Sequence, residues 1–266
     1  MRRLSAYLLI FVLVFFASFS VVHASQTEDL LGIGDRVLNR FFDMLSDSAK
    51  TYLDITDGAV EVNVFLPDVL LVNMNNPVDR YYRPENMIDI ASHVSTTRSP
   101  LLLEENAANA YIQMIAAMRD YGITDLAAVS GFRDFEHQTR IHNIEVERQS
   151  RYFPRDEARR RAAMIVAAPG TSEHQTGLAV DVSSAQVGFS LSTRFENTAA
   201  FSWLSLNAHE YGFIIRYPRD KTDITGVIFE PWHLRYVGAD HAARIFESGL
   251  TLEEYFEEYL TGAWSE

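Results

Sequence analysis

Two short segments hold the residues most able to do chemistry. One is Ser172-Glu173-His174-Gln175-Thr176-Gly177-Leu178-Ala179-Val180-Asp181, and the other, far downstream, is Glu230-Pro231-Trp232-His233. Together they offer two imidazoles, a carboxylate between them in sequence, and a second carboxylate three residues before the last histidine. A catalytic zinc site needs that inventory. Three protein ligands hold the metal, the fourth position stays open to water, and a nearby carboxylate takes the water's proton.

Each member has a plainer alternative. Asp181 falls in the apolar run Ala179–Val182, where an unpaired carboxylate is costly and a metal relieves the cost. An aspartate bonded only to backbone amides would satisfy the same position. A glutamate three residues before a histidine is weak evidence alone, because the pair arises by chance in many helices. Joined to a histidine and aspartate seven apart it becomes specific. His174 also follows the turn-forming run Pro169-Gly170-Thr171-Ser172, and Gly177 behind it permits a tight bend. His93, His137, His142, His209 and His241 have no matched acid partner, so surface or hydrogen-bonded core roles are expected for them. His23 lies in an apolar N-terminal stretch.

Composition narrows the options. The 266 residues are 47% hydrophobic and contain no cysteine, which removes thiolate metal sites, cysteine nucleophiles and disulfides. The formal charge of −13 repels phosphate backbones, so no nucleic-acid partner is expected. Arg2 and Arg3 precede an apolar stretch from Tyr7 to Val22, and Val22-His23-Ala24 offers a peptidase cleavage site. The stretch is short for a membrane span, which needs roughly 20 residues. Export with cleavage near Ala24 is expected, and an uncleaved anchor is the alternative. In either case the folded domain lies outside the cytoplasm, and the membrane is met only through this segment. Nothing in the sequence bears on oligomeric state.

The positioning elements can be read from periodicity. Residues 1–24 form the signal segment, 25–59 a helical lead-in, and 60–266 the catalytic domain. Val60–Phe65 alternates like a strand. Glu104–Tyr121 is the clearest helix, with Tyr111, Met114, Ile115 and Met118 on one face and Gly122 at its C-terminal end. Leu126–Ser130, Ala179–Val182 and Phe213–Tyr217 read as strands. Arg155–Ala168 and Thr198–Tyr211 read as helices, and Thr251-Leu252-Glu253-Glu254 is a capping box opening a last helix. Residues after Gly131 read as a polar segment. Interleaved helices and short strands predict an α+β fold.

Ser172-x-His174-x-x-Gly177-x-Ala179-x-Asp181 with Glu230-x-Trp232-His233 resembles the zinc D-alanyl-D-alanine carboxypeptidases of the VanY type, which share a fold with D-Ala-D-Ala dipeptidases and the hedgehog signalling domain. The likeness extends to Ser130-Gly131-Phe132-Arg133 with Gln138, Gly212–Pro218, Thr225-Gly226 and Arg235–Gly238, covering roughly residues 70 to 258. Two positions depart: Phe132 stands where many relatives carry tyrosine, and Met74 where lysine is common. The resemblance implies a single domain with a central antiparallel sheet flanked by helices. It also implies that His174, Asp181 and His233 ligate Zn2+ and that Glu230 is the general base. Arg133 would grip a carboxylate or oxyanion, which a bidentate guanidinium does better than lysine; a surface ion pair with Asp134 or Glu136 is its alternative. Gln138, Ser172, Tyr217 and Trp232 are candidate substrate-binding groups or supports for the site residues, with core packing the alternative for the two aromatics, and Arg216 and Arg235 are structural partners for carboxylates. The implied substrate is a peptidoglycan stem peptide cut at its C-terminal D-alanine. L,D-carboxypeptidase or endopeptidase activity is the alternative within the fold, and a non-catalytic hedgehog-like binding module the alternative outside it.

Overall fold

The computed structural model describes residues 51–56, 59–64 and 69–260. The chain divides into two compact units between Pro67 and Asp68. The export segment and most of the helical lead-in lie outside the described residues. The described part of the first unit is an antiparallel hairpin of β1 (Thr51–Thr56) and β2 (Ala59–Val64), with Thr56 opposite Ala59. Strand β2 matches the alternation read over Val60–Phe65. The helical expectation for residues 51–56 is corrected: Thr-Tyr-Leu-Asp-Ile-Thr is rich in β-branched and aromatic residues. Asp57-Gly58 between two such runs is a hairpin signal that the helical reading passed over.

The second unit is built on a four-stranded antiparallel sheet of order β5-β6-β8-β7, comprising β5 (Leu126–Ser130), β6 (Ala179–Ser184), β7 (Phe213–Tyr217) and β8 (Glu230–Tyr236). A small antiparallel pair, β3 (Met87–Asp89) and β4 (Leu102–Glu104), precedes it. The α+β architecture with a central antiparallel sheet agrees with the sequence expectation. Helix α1 (Glu105–Asp120) buries Tyr111, Met114, Ile115 and Met118, the stripe read from periodicity. These side chains join Val180, Val182, Phe213 and Leu234 of the sheet in one core. Truncating a fully buried member such as Met114 to alanine should cost about 2–5 kcal/mol. Gly122 takes φ +96° just past the helix.

Helix α2 (Phe135–Gln149) occupies the stretch read as a polar segment. Its start is signalled by Asp134, whose carboxylate accepts from the His137 amide at 2.7 Å. Only Gln138 and Glu145 are buried on it, so it lacks the apolar stripe that marks a helix in sequence. Helix α3 (Arg155–Ala163) ends before the expected Ala168. Helix α4 (Ala199–Asn207) passes into a 3-10 turn, Ala208–Tyr211, closed by left-handed Gly212. Helix α5 (Ala239–Ser248) follows β8, and the capping box at Thr251 opens the short helix Leu252–Tyr255. Among the described residues no helix is long and apolar enough to cross a membrane.

Candidate metal centre

Three devices bring the chemical residues together. The first is a 3-10 turn, Glu173–Thr176, that presents His174 and ends at Gly177 with φ +71°. A Cβ on Gly177 would lie 2.9 Å from the Glu104 amide nitrogen, so both its backbone angle and its neighbours demand glycine. The second is the β6–β8 ladder, which pairs Asp181 with His233. The third is a pair of register shifts, one in β5 against β6 between Ala128 and Ser130, one in β7 against β8 between Ile215 and Tyr217. Regular alternation would send Glu230 and His233 to opposite faces. The irregularity in the β7–β8 pairing relieves that constraint, and the Glu230 Oε2 lies 3.8 Å from the His233 Nδ1.

His174, Asp181 and His233 are all buried, and each offers a donor atom within 4.8 Å of the others. His174 Nδ1 lies 2.7 Å from the Gly131 carbonyl oxygen, to which it donates, leaving Nε2 turned towards the Asp181 Oδ2 at 3.2 Å. Gly131 itself sits where a Cβ would meet the Leu102 carbonyl oxygen at 2.4 Å, so only glycine lets the two backbones approach. His233 Nδ1 is 3.0 Å from the Asp181 Oδ1, and its Nε2 is 3.4 Å from the Glu173 Oε2. The rings of His174 and His233 meet edge to face at 4.9 Å.

The electrostatics favour a cation. Burial disfavours the charged form of His233, yet hydrogen bonds to Asp181 and Glu173 outweigh it and raise the imidazole to about 9. Burial and the neighbouring Arg133 charge push His174 down to about 4. Burial also opposes ionisation of Asp181, but the two histidines hold its carboxyl well below the ordinary range. Burial pushes Glu230 up to about 8, against the opposing pull of His233. A cluster that draws a proton onto His233 carries surplus negative charge, and among the described residues His174 Nε2 has no hydrogen-bond partner. Two imidazole nitrogens and one carboxylate suit a divalent ion of the zinc type.

Arg133 borders this cluster. Its Nε donates to the Gln138 Oε1 at 2.9 Å and its Nη1 to the Ser130 Oγ at 2.8 Å, with the Asp181 Oδ2 at 3.4 Å. The surface ion-pair alternative fails, because Asp134 caps α2 and Glu136 pairs with Arg80 at 2.6 Å. Gln138 is fully buried, and its amide nitrogen donates to the Ala167 carbonyl at 2.7 Å. Its side chain bridges Arg133 and the Ala167 carbonyl, the supporting alternative to direct substrate contact. Ser172 is likewise buried, at the entry to the His174 turn. Tyr217 packs its ring 4.9 Å from that of His233, and Trp232 is half-buried against the core.

Among the described residues, three further histidines have partners away from the cluster. His142 contacts the Val166 carbonyl at 2.7 Å, His241 the Tyr255 hydroxyl at 2.6 Å, and His209 stacks on Phe246. The residue that sequence reasoning missed is Glu173. It is fully buried, and its Oε1 accepts from the Arg216 Nε and the Arg235 Nη1, each at 2.7 Å. Two arginines inside otherwise apolar strands were the available signal.

A buried imidazole–imidazole–carboxylate cluster, with a second carboxylate beside it on an antiparallel sheet, has the donor set of the metal centres that hydrolases use. The chain belongs to the VanY family, described as D-alanyl-D-alanine carboxypeptidase, whose model matches residues 100–239. It is 42% identical over 190 residues to the putative carboxypeptidase YodJ of Bacillus subtilis, covering 71% of this chain and 66% of that protein. The chain thus spans just under two thirds of that curated relative's length. Among solved structures it is similar to the LdcB LD-carboxypeptidase, with TM-score 0.64 and 39% identity over 78% of this chain and 94% of that one. It is also similar to a variant of the vancomycin-resistance D,D-pentapeptidase VanY in complex with Zn(II), with TM-score 0.59 and 35% identity over 71% and 98% of the two chains.

Proposed function

We propose that the protein is a zinc-dependent D-alanyl-D-alanine carboxypeptidase that removes the C-terminal D-alanine from peptidoglycan stem peptides. The observation that carries this reading is the buried cluster of His174, Asp181 and His233, with the Glu230 carboxylate 3.8 Å from His233. The likeness to a D,D-pentapeptidase structure containing Zn(II) supports both the metal and the bond.

His174 through Nε2, His233 through Nδ1 and the Asp181 carboxylate are the groups that would hold zinc. When bound, zinc polarises a carbonyl and brings the pKa of water down to about 7. Glu230 then accepts the proton of the attacking water at its carboxylate and returns it to the departing amine, a role worth about 10²–10⁴-fold in rate. Burial suits Glu230 to this shuttle, since a carboxylate with little hydration binds a proton more readily than a solvated one. Arg133, fixed by Ser130 and Gln138, presents the rest of its guanidinium to a substrate carboxylate or developing oxyanion.

The likeness to LdcB favours a second reading within the same chemistry: an L,D-carboxypeptidase that trims tetrapeptide stems. Incubation with pentapeptide and tetrapeptide stems, followed by mass analysis, separates the two. Loss of one D-alanine from the pentapeptide is expected; release from the tetrapeptide alone would overturn the D,D assignment. Arg2-Arg3 and the apolar run behind them support export to the compartment where such peptides are found.

A further inference from the structure

We propose that Glu173 is a positioning residue for the metal ligand His233, held in place by a buried arginine pair that reaches to the C-terminal helix. The inference rests on the metal-centre reading above and names the residue that holds the His233 ring with Nδ1 free for the metal.

Glu173 has no exposed surface, and neither do Arg216 and Arg235. Its Oε1 takes both guanidinium donors, at 2.7 Å each. Its Oε2 faces the His233 Nε2 at 3.4 Å. Both atoms are buried and without a hydrogen-bond partner among the described residues, and at 3.4 Å each is left facing the other. A carboxylate that accepts from Nε2–H fixes the tautomer and leaves the Nδ1 lone pair for a metal held beside Asp181.

The arginines are equally committed. Arg216 donates through Nη1 and Nη2 to both Glu253 oxygens at 2.8 and 2.6 Å, and Glu253 lies on the short helix that the Thr251 capping box opens. Arg235 donates from Nε to the Tyr236 carbonyl at 2.9 Å and from Nη2 to the Leu70 carbonyl at 2.6 Å. Two glutamates and two arginines thus balance in charge with their geometry closed. Buried ion networks are weak evidence for stability, because desolvation offsets the attraction. Orienting a ligand gives this one a purpose that stability does not.

Three variants test it: E173Q keeps the shape, E173D keeps the charge but shortens the reach, and E253Q removes the outer charge while leaving both arginine bonds to Glu173 in place. Zinc affinity by chelator competition should weaken about 10–100-fold in E173Q and E173D, the usual range for such outer partners. It should stay within about twofold of wild type in E253Q. Equal zinc affinity in all four proteins, whatever their melting temperatures, would overturn the proposal. Failure of the wild type to bind zinc would instead sink the metal-centre reading. Should the Glu173 variants not fold, long-range 1H–15N spectra of zinc-loaded wild type still decide. The His233 proton must sit on Nε2, and a proton on Nδ1 refutes the assignment.

Discussion

Asp181 and His233, 52 residues apart in sequence, face each other directly across the β6–β8 ladder, with the carboxylate Oδ1 3.0 Å from the imidazole Nδ1. Strand side chains alternate with a period of two, so a slip of one residue would turn either group to the opposite face of the sheet. The apolar neighbours Val180, Val182 and Leu234 are fully buried, and their place in the core locks the register that makes the site.

Metal binding and proton transfer should separate by mutation. Glu230→Ala is expected to keep its zinc but lose hydrolysis by about 10²–10⁴-fold, while His174→Ala loses both. Metal analysis of each purified variant beside a D-alanine release assay checks this. A fully active Glu230→Ala protein would sink the mechanism.

Arg133→Lys should bind zinc normally yet hydrolyse poorly. Lysine cannot reproduce donors to Gln138 and Ser130 while offering a fork to substrate. Loss of one charged hydrogen bond is worth about 1.5–3 kcal/mol, or roughly 10–100-fold in kcat/KM. Steady-state kinetics with unchanged kcat/KM would remove Arg133 from the site.

Gly131→Ala should destabilise the fold and loosen the metal together. Its Cβ would press on the Leu102 carbonyl oxygen at 2.4 Å, and the carbonyl that orients His174 belongs to this same residue. A cost of about 1–3 kcal/mol is expected. Thermal denaturation and zinc titration read the two effects, and a variant with wild-type values in both would contradict the close approach.

Glu230 gives a pH signature in chelator-treated protein. Burial raises its carboxyl from 4.5 to about 8. The folded state therefore holds a proton that the unfolded chain releases. The contribution is fully present below about 4.5 and is lost as pH rises through about 8. Glu230→Gln is neutral throughout and lacks that loss. The stability of wild type relative to the variant should accordingly fall as pH rises across this window, as followed by denaturant titration. A flat difference would place Glu230 in water rather than in the protein interior.

The helices and strands that were legible share one property: their burial is local and periodic. Tyr111, Met114, Ile115 and Met118 announce α1 because each turn presents the same face to the core. Helix α2 was invisible because its partners are polar, and its buried Gln138 serves Arg133 rather than the apolar core. Strand β8 was hidden for a related reason, since Glu230 and His233 at a spacing of three suit a helix better than a regular strand. The register shift against β7 resolves that conflict.

By itself the sequence determined the chemical inventory: the two imidazoles, the two carboxylates, the arginine, and the glycines at positions where the backbone must bend or close in. Ligand chemistry is a property of residue type, and turn chemistry of neighbouring residues, so both are written locally. Only the tertiary structure decided which atoms meet. It set Asp181 against His233, gave the His174 proton to the Gly131 carbonyl, and put Glu173 between Arg216, Arg235 and His233. Those contacts join residues 43 to 62 positions apart. They depend on sheet register and core packing summed over the whole domain, which no single stretch of sequence contains.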